Sequence, residues 1–178
     1  MTQLQLVESY TIDNTQTSAW NLGTTSDKLF TTAYDNYLVI LKMDGSTTNS
    51  ETIQTRLIDS GGNVISDSEY DNASWQMFAH ATDDKDNGQD ESSIQDIFGT
   101  YDQLAEGLGA SVYIFNPANS SSYTFLQGAS VSAFNGNIKT TKSMSVHKVA
   151  EEIIGIQFFI TNTDYFLNAV ASVYGVKS

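Results

Sequence analysis

The chain contains no cysteine and almost no proline. Without cysteine, its 178 residues form no disulfide framework and carry out no thiolate chemistry. No apolar run approaches the roughly 20 residues that a membrane-spanning helix requires. The chain also opens without the charged and apolar stretches that make up a signal peptide. We therefore expect a soluble protein that has no membrane partner and is not exported by the ordinary route.

Basic side chains are also scarce, at 8 against 21 acidic ones, which gives a formal net charge of −13. Proteins that bind DNA or RNA need clustered lysine and arginine to displace counterions from the phosphates. The charge balance therefore excludes nucleic acid as a partner. We interpret the acidity as an aid to solubility that also keeps copies of the chain apart outside their intended contacts.

Composition and length indicate one β-rich domain that spans residues 1–178. Only 16% of the residues are charged and 40% are hydrophobic, and serine, threonine, asparagine and glycine are abundant. A chain of this length buries roughly 70% of the surface that its unfolded form exposes, which is enough for one core.

Apolar residues alternate with polar ones in many short segments separated by turn signals. This period-2 pattern predicts strands at 2–12, 17–22, 36–44, 53–58, 72–81, 110–115, 123–133, 153–160 and 168–176. The best helical candidates are 94–104 and 146–154, and the second is short and equally consistent with a loop that enters a strand. Roughly eight to ten short strands with turns between them predict an all-β fold with little helix, an antiparallel, jelly-roll-like β-sandwich.

Two of the predicted strands carry apolar residues on both faces. The first, 110–115, follows Gly107 and Gly109, and we expect cover on both of its sides. The second is the C-terminal strand, 168–176. We expect it to pair with other strands in a sheet and to pack Tyr174 into the core. Gly175 then marks a bend or a close backbone approach.

One acidic stretch is a candidate cation site. It contains Asp83, Asp84, Asp86, Asp90 and Glu91, and Ca²⁺ takes several carboxylate and carbonyl oxygens as ligands. The EF-hand spacing fails, however, because the third and twelfth positions are not acidic. We interpret residues 83–91 as a solvated acidic loop, with a structural Ca²⁺ site as the alternative.

No set of residues in the sequence forms a recognisable catalytic or metal site. His80 and His147 are the only histidines, and we expect each to be a surface or half-buried side chain. Glu151 and Glu152 could pair with Asp164 as glycosidase carboxylates, but adjacent carboxylates usually point different ways. No nucleophile elbow, zinc-protease or phosphate-loop motif occurs. We predict no catalytic residues, no metal, no cofactor and no enzymatic activity, and the binding residues are not assigned.

The aromatic residues allow two interpretations. Trp20 and Trp75, together with nine tyrosines and nine phenylalanines, could form a platform on which sugars stack. Aromatic side chains in a sandwich more often belong to its core. An exposed aromatic pair in a groove would favour a carbohydrate-binding module, whereas two carboxylates ~5–9 Å apart in a cleft would favour a glycan hydrolase.

Short motifs occur along nearly the whole chain. They are Tyr34–Tyr37 with the apolar strand after it, the strand before Ser60–Gly62, Glu106–Leu108, Val112–Pro117, Tyr123-Thr124, Ile153–Phe158 and Val173–Lys177. These motifs resemble β-sandwich domains of bacteriophage virion proteins, of the tail-fibre and decoration type found in phages of cyanobacteria. The chain departs from the family pattern at 82–102, which is more acidic, and at 146–152, which has less glycine and serine.

The resemblance implies a non-enzymatic structural component displayed on the exterior of a phage particle. It would be a capsid decoration or cement protein, or a small tail-fibre or baseplate protein, made in the host cytoplasm and located in the virion. The implied partners are further copies of itself in a homotrimer, other virion proteins and host surface glycans. The alternative function is a carbohydrate-binding module or host-glycan receptor-binding domain.

Overall fold

The computed structural model of the protein is built from antiparallel β-strands. It describes residues 3–45, 51–79, 81–95, 97–98, 100–101, 107–134, 137–161 and 166–177, and these residues contain no helix. The strands are β1 (Gln3–Ile12), β2 (Ala19–Leu22), β3 (Asn36–Gly45), β4 (Glu51–Asp59), β5 (Tyr70–Phe78), β6 (Asp84–Glu91), β7 (Thr100–Tyr101), β8 (Leu108–Phe115), β9 (Thr124–Phe134), β10 (Asn137–His147), β11 (Ile153–Ile160) and β12 (Phe166–Lys177).

The strands form two sheets of unequal size, here called the large sheet and the small sheet. The large sheet has eight strands in the order β1-β12-β3-β8-β9-β10-β5-β6, and the small sheet has four in the order β2-β11-β4-β7. Every pairing between neighbouring strands is antiparallel. The predicted antiparallel β-sandwich with little helix is confirmed.

One hydrophobic cluster joins the inner face of the large sheet to the small sheet. On β3, every second residue from Tyr37 to Met43 is buried, because successive side chains of a strand point to opposite faces. On the small sheet, the Phe158 ring lies 6.5 Å from the Trp20 ring and 5.5 Å from the Phe98 ring, measured between centroids. The core therefore draws on residues from both ends of the chain.

The C-terminal strand β12 lies inside the large sheet, paired with β1 on one side and β3 on the other. Its inward residues are Ala169, Ala171 and Val173, all of which are buried. The prediction that this strand is stitched into a sheet is confirmed. The prediction that Tyr174 packs into the core is wrong, because a residue next to inward-facing Val173 must point to the opposite face, where Tyr174 is half-buried.

Gly175 lies where an aromatic ring crosses the backbone of β12. A Cβ atom built on Gly175 would lie 2.4 Å from two carbons of the Tyr34 ring, a separation that only glycine avoids. Tyr34 in turn packs edge-on against Tyr37, with 5.7 Å between the ring centroids. The close backbone approach predicted at Gly175 is confirmed.

Two predicted assignments of secondary structure are wrong. The acidic stretch 83–91 is not a loop, because Asp84–Glu91 forms β6, an edge strand held by backbone pairing to β5. An edge strand faces solvent, so it tolerates charged side chains on both faces. In the candidate helix 94–104, Ile94 instead exchanges backbone hydrogen bonds with Thr55 and adds to the layer that covers the core. Residues 96, 99 and 102–104 lie outside the described residues.

Of the two alternatives for 146–154, the structure shows a loop that enters a strand, since this stretch joins the end of β10 to the start of β11. Strand β10 itself was not predicted, although it lies between β9 and β5 in the large sheet. Its inward side is polar and its outward side carries apolar residues, so its pattern is the reverse of that of a core strand. The inward residues are Lys139, Thr141, Ser143, Ser145 and His147, all buried.

Gly175→Ala tests the contact with Tyr34. The added methyl group would displace the Tyr34 ring or the β12 backbone, and we expect a loss of about 1–3 kcal/mol in the free energy of unfolding. Gly109→Ala on β8 is the matched control, because a Cβ there meets only Val131 at 3.8 Å, an ordinary contact. Urea denaturation measures both variants, and equal midpoints for the two would contradict the argument.

Candidate functional site

The outer face of the large sheet, which points away from the small sheet, exposes many large apolar side chains. Such contiguous exposed patches commonly mark ligand- or protein-binding surfaces. These side chains come from six strands of the large sheet, where they alternate with inward-facing residues. They are Ile40, Trp75, Tyr113, Phe125, Val131, Ile138, Met144 and Val170.

A groove of about 450 Å³ lies in the middle of this outer face. Cross-strand pairing places its lining residues in two adjacent rows that run across the strands. The first row is Trp75, Lys142, Ala129 and Ser111, and Lys85 on β6 continues this row beyond the groove. The second row is Ala73, Met144, Gln127 and Tyr113.

Trp75 and Tyr113 stand at opposite ends of the groove. Their side chains are 47% and 41% exposed, so the structure does not use most of their surface for folding. They lie on β5 and β8, three interstrand spacings apart, or about 14 Å. The two strands between them, β10 and β9, contribute the floor of the groove. Its outward side chains are Lys142, Met144, Ala129 and Gln127.

Positive charge is concentrated beside Trp75. Lys85 and Lys142 are its direct cross-strand neighbours on either side, and both are exposed. The Lys85 ammonium lies 5.9 Å from the centroid of the Trp75 ring. Two of the chain's 8 basic residues therefore flank one tryptophan, in a protein whose formal net charge is −13.

The two tryptophans have different roles in the structure. Trp20 is a core residue, whereas Trp75 is exposed on the outer face, so the interpretation of aromatics as core holds for only one of them. The expectation that strand 110–115 is covered on both sides is wrong, because Tyr113 points away from the core. The sequence signal for this is the alternation of Tyr113 with buried Val112 and Ile114.

A second candidate site surrounds His147, the last residue of β10, whose side chain points to the inner face of the large sheet. The expectation of a surface or half-buried side chain is wrong, because the His147 side chain is fully buried. Its Nε2 lies 2.9 Å from Glu151 Oε1, and its Nδ1 lies 3.8 Å from Glu69 Oε2. Glu151 follows His147 by four residues, but Glu69 is brought there only by the pairing of β5 with β10, so sequence spacing does not reveal the cluster.

Tyr70 forms one wall of the His147 site. Its ring centroid lies 5.3 Å from that of the imidazole. Its hydroxyl accepts the Leu57 N–H at 3.0 Å and lies 3.3 Å from the Ile65 carbonyl, to which it donates. Burial raises the pKa of Tyr70 above its ordinary value, so the ring remains a neutral phenol at neutral pH and holds the small sheet against the start of β5.

An ion cluster lies beside this site, on the opposite side of the strands. Lys148 Nζ lies 2.8 Å from Asp71 Oδ1 and also contacts Asp90. The hydrogen bond from Lys148 lowers the pKa of Asp71 below its ordinary value, and the hydrogen bonds to Asp71 and Asp90 raise the pKa of Lys148. These three groups therefore compensate one another's charge next to Glu69 and His147.

The acidic residues at 83–91, which the sequence offered as a cation site, do not converge on one point in the part of the chain that the structure describes. Asp83, Asp84, Asp86 and Asp90 are exposed along or beside β6, where Asp84 and Asp86 accept hydrogen bonds from the next backbone N–H. Glu91 is half-buried and accepts a hydrogen bond from Gln95.

The glycosidase pairing is not assembled either. Glu152 forms an ion pair with Lys28 at 2.6 Å, whereas Glu151 turns to His147. Asp164 and His80 lie outside the described residues.

Comparison of the chain with protein-family models, with curated proteins and with solved structures finds no match. The resemblance to phage virion proteins therefore stays a prediction from short sequence motifs. Among the described residues, no helix has the length and apolar character to span a membrane.

Tyr70→Phe tests how much the hydrogen bonds of the Tyr70 hydroxyl contribute to the stability of the fold around the His147 site. The change leaves the Leu57 N–H buried without its acceptor, and we expect a loss of about 1–3 kcal/mol in the free energy of unfolding. Tyr123→Phe is the control, since Tyr123 is exposed and its hydroxyl is expected to matter by less than about 0.5 kcal/mol. Urea denaturation of both variants provides the comparison, and an unchanged Tyr70→Phe midpoint would refute the assigned role.

Proposed function

We propose that this protein is a non-enzymatic carbohydrate-binding module whose groove on the outer face takes an extended, carboxylated oligosaccharide. The observation that carries the proposal is the pair of exposed aromatic residues, Trp75 and Tyr113, at opposite ends of one groove. An exposed aromatic pair in a groove favours a glycan-binding module, whereas two carboxylates ~5–9 Å apart in a cleft would favour a glycan hydrolase.

The chemistry of the groove suits a sugar chain. Aromatic faces offer large apolar contact area at a low cost in side-chain entropy, and the C–H faces of pyranose rings are flat and apolar. Gln127, on β9 between the two aromatics, and Ser111, beside Tyr113 on β8, supply hydrogen-bonding groups, in the manner of a mainly apolar pocket with a few polar groups. The separation of about 14 Å between β5 and β8 exceeds one sugar ring, which favours an oligosaccharide over a monosaccharide.

The charges around Trp75 favour an acidic sugar. A neutral glycan would not need Lys85 and Lys142 beside the stacking ring, whereas a uronate carboxylate gains from both ammonium groups. Electrostatic complementarity of this kind contributes specificity and association rate more than affinity. The lysines therefore determine the preference for acidic over neutral glycans, whereas the aromatic residues supply most of the affinity for any glycan.

Calorimetric titration with oligogalacturonate, and with cello-oligosaccharide as a neutral comparison, tests the proposal. Trp75→Ala and Tyr113→Ala should each weaken oligogalacturonate binding by about tenfold or more, as truncation of an aromatic anchor typically does. Tyr123→Ala is the control, because Tyr123 is equally exposed but does not line the groove. Lys142→Gln should weaken oligogalacturonate binding while leaving any cello-oligosaccharide binding unchanged.

Tryptophan fluorescence gives an independent measure, because the chain has two tryptophans and Trp20 is buried. Quenching on ligand addition should disappear in Trp75→Phe. Equal binding by wild type, Trp75→Ala and Tyr113→Ala would refute the groove as the binding site, and the absence of binding to either class of glycan would refute the proposed function.

We also propose a structural role on the exterior of a phage particle, as a capsid decoration or small tail-fibre or baseplate protein that self-associates as a homotrimer. The sequence resemblance supports this role, and so do the exposed apolar side chains of the outer face that lie outside the groove. Val131, Ile138, Ile40 and Val170 are each at least 40% exposed, and exposed apolar surface of this kind is typical of protein contacts. A host-glycan receptor-binding domain would combine both roles.

Size-exclusion chromatography with light scattering tests self-association. We expect a mass three times that of the 19.5 kDa chain at micromolar concentration. Val131→Lys should shift the mass toward the monomer, because it places a charge in the apolar contact, whereas Gln16→Lys, in an exposed turn, should leave it unchanged. A monomer of wild type under these conditions would refute the trimer without bearing on glycan binding.

A further inference from the structure

The fully buried imidazole of His147 is held at one nitrogen only. Nε2 forms a 2.9 Å hydrogen bond with Glu151 Oε1. Nδ1 faces Glu69 Oε2 at 3.8 Å, which is too long for a hydrogen bond. In the part of the chain that the structure describes, Nδ1 makes no hydrogen bond at all. A buried nitrogen without a partner is costly, so this one calls for a physical explanation.

The hydrogen bond to Glu151 determines which nitrogen carries the proton. An ionised carboxylate accepts hydrogen bonds and cannot donate one, so Nε2 is the N–H donor. In the neutral imidazole, Nδ1 then presents a lone pair, and a carboxylate oxygen of Glu69 lies 3.8 Å from this nitrogen. Two electron-rich atoms repel each other unless a positive charge lies between them. A proton on Nδ1 would not form a hydrogen bond across 3.8 Å, so a metal ion accounts for this pair better.

We propose that Glu69 and His147 bind one Zn²⁺ ion through Oε2 and Nδ1. Zn–N and Zn–O bonds of about 2.0–2.2 Å together exceed the 3.8 Å that separates the two atoms, so one ion reaches both without a backbone movement. Glu151 orients the imidazole through Nε2–H, as a carboxylate commonly does behind a zinc-bound histidine. Donor atoms of all three residues lie within 4.8 Å of one another.

The neighbouring structure holds these groups in position. The backbone N–H of Lys148 donates to the Glu69 carbonyl at 2.9 Å, which ties the residue after β10 to the residue before β5. The Tyr70 ring packs against the imidazole. Thr124, the cross-strand partner of His147 on β9, also turns a buried hydroxyl inward. The carboxylates of Glu69 and Glu151 are each about one-third exposed, so water can complete the coordination.

The donor set favours zinc over calcium. An imidazole nitrogen suits Zn²⁺ and related transition metals, whereas Ca²⁺ takes six to eight oxygen ligands, more than two carboxylates supply. The acidic residues of β6 are not ligands of this site, because Asp90 contacts Lys148 on the other side of the strands and Glu91 accepts a hydrogen bond from Gln95.

A tag-free His80→Gln protein tests the proposal, because His147 is then its only imidazole. Calorimetry with ZnCl₂ at pH 7.5 should give one ion per chain, and CaCl₂ at the same concentration should give no binding. In a ¹⁵N-labelled sample, NMR should show Nε2 protonated before and after zinc addition, and a large shift of the Nδ1 resonance on addition.

Three further substitutions in this background separate ligands from neighbours. Glu69→Gln should weaken zinc binding by at least about tenfold, and Glu151→Gln by about 10–100-fold, the range found when the carboxylate behind a histidine ligand is removed. Glu152→Gln is the matched control, since it removes the adjacent carboxylate, which is paired with Lys28, and it should bind zinc as the background protein does. Circular dichroism confirms that each variant is folded.

The proposal is overturned if zinc binding is absent, or is unchanged in Glu69→Gln. It is equally overturned if the Nδ1 resonance does not respond to zinc, since the metal would then lie elsewhere. An imidazole protonated at both nitrogens at pH 7.5 that stays so in the presence of zinc would show that the two carboxylates hold a proton and not a metal ion.

Discussion

The eight strands of the large sheet pack against only four strands of the small sheet, and this mismatch determines which surfaces are left for binding. A sheet needs an apolar partner layer on one face and can leave the other in water. Here the small sheet and the segment around Ile94 and Phe98 cover the inner face. Among the described residues no second layer covers the outer face. Side chains such as Trp75 and Tyr113 on that face contribute little to the core, so selection for stability does not explain them.

The mismatch also accounts for the polar lining under β5, β9 and β10, where hydrophobic cover gives way to serine, threonine and asparagine. Ser130 there donates to the Phe98 carbonyl at 3.1 Å, and a Cβ on Gly128 would lie 2.8 Å from Ile97, so the covering segment lies directly on the strands. Small polar side chains leave room for this approach. His147 lies at the end of this lining, and its burial between carboxylates follows from β10 turning its polar side inward.

Alternation with period 2 was enough to predict most strands. Strands such as β3 and β12 bury one apolar side, and apolar residues therefore recur at every second position of their sequences. It failed for β10 and β6. In β10 the buried side is polar and the exposed side apolar, so hydrophobicity indicates the wrong face, and in β6 backbone pairing alone defines the strand. The groove could not be predicted either, since Trp75 and Tyr113 come together only through the order β5-β10-β9-β8. The Glu69–His147 pair depends on the same cross-strand register, which no local pattern encodes.

The distribution of charge decides how copies of this protein can associate. The edge strand β6 exposes Asp84, Asp86 and Asp90, and a second acidic edge brought alongside it would be repelled, as charged edge strands generally prevent sheet extension. Association through the β6 edge is therefore disfavoured, whereas the outer face carries exposed apolar residues that a contact between copies can use. Val131 lies one row from Ala129 in the floor of the groove, so a contact made there borders the glycan groove directly. A trimer formed through this face would place three grooves around one axis, and multivalent binding of a repeating glycan would then exceed the affinity of any single groove.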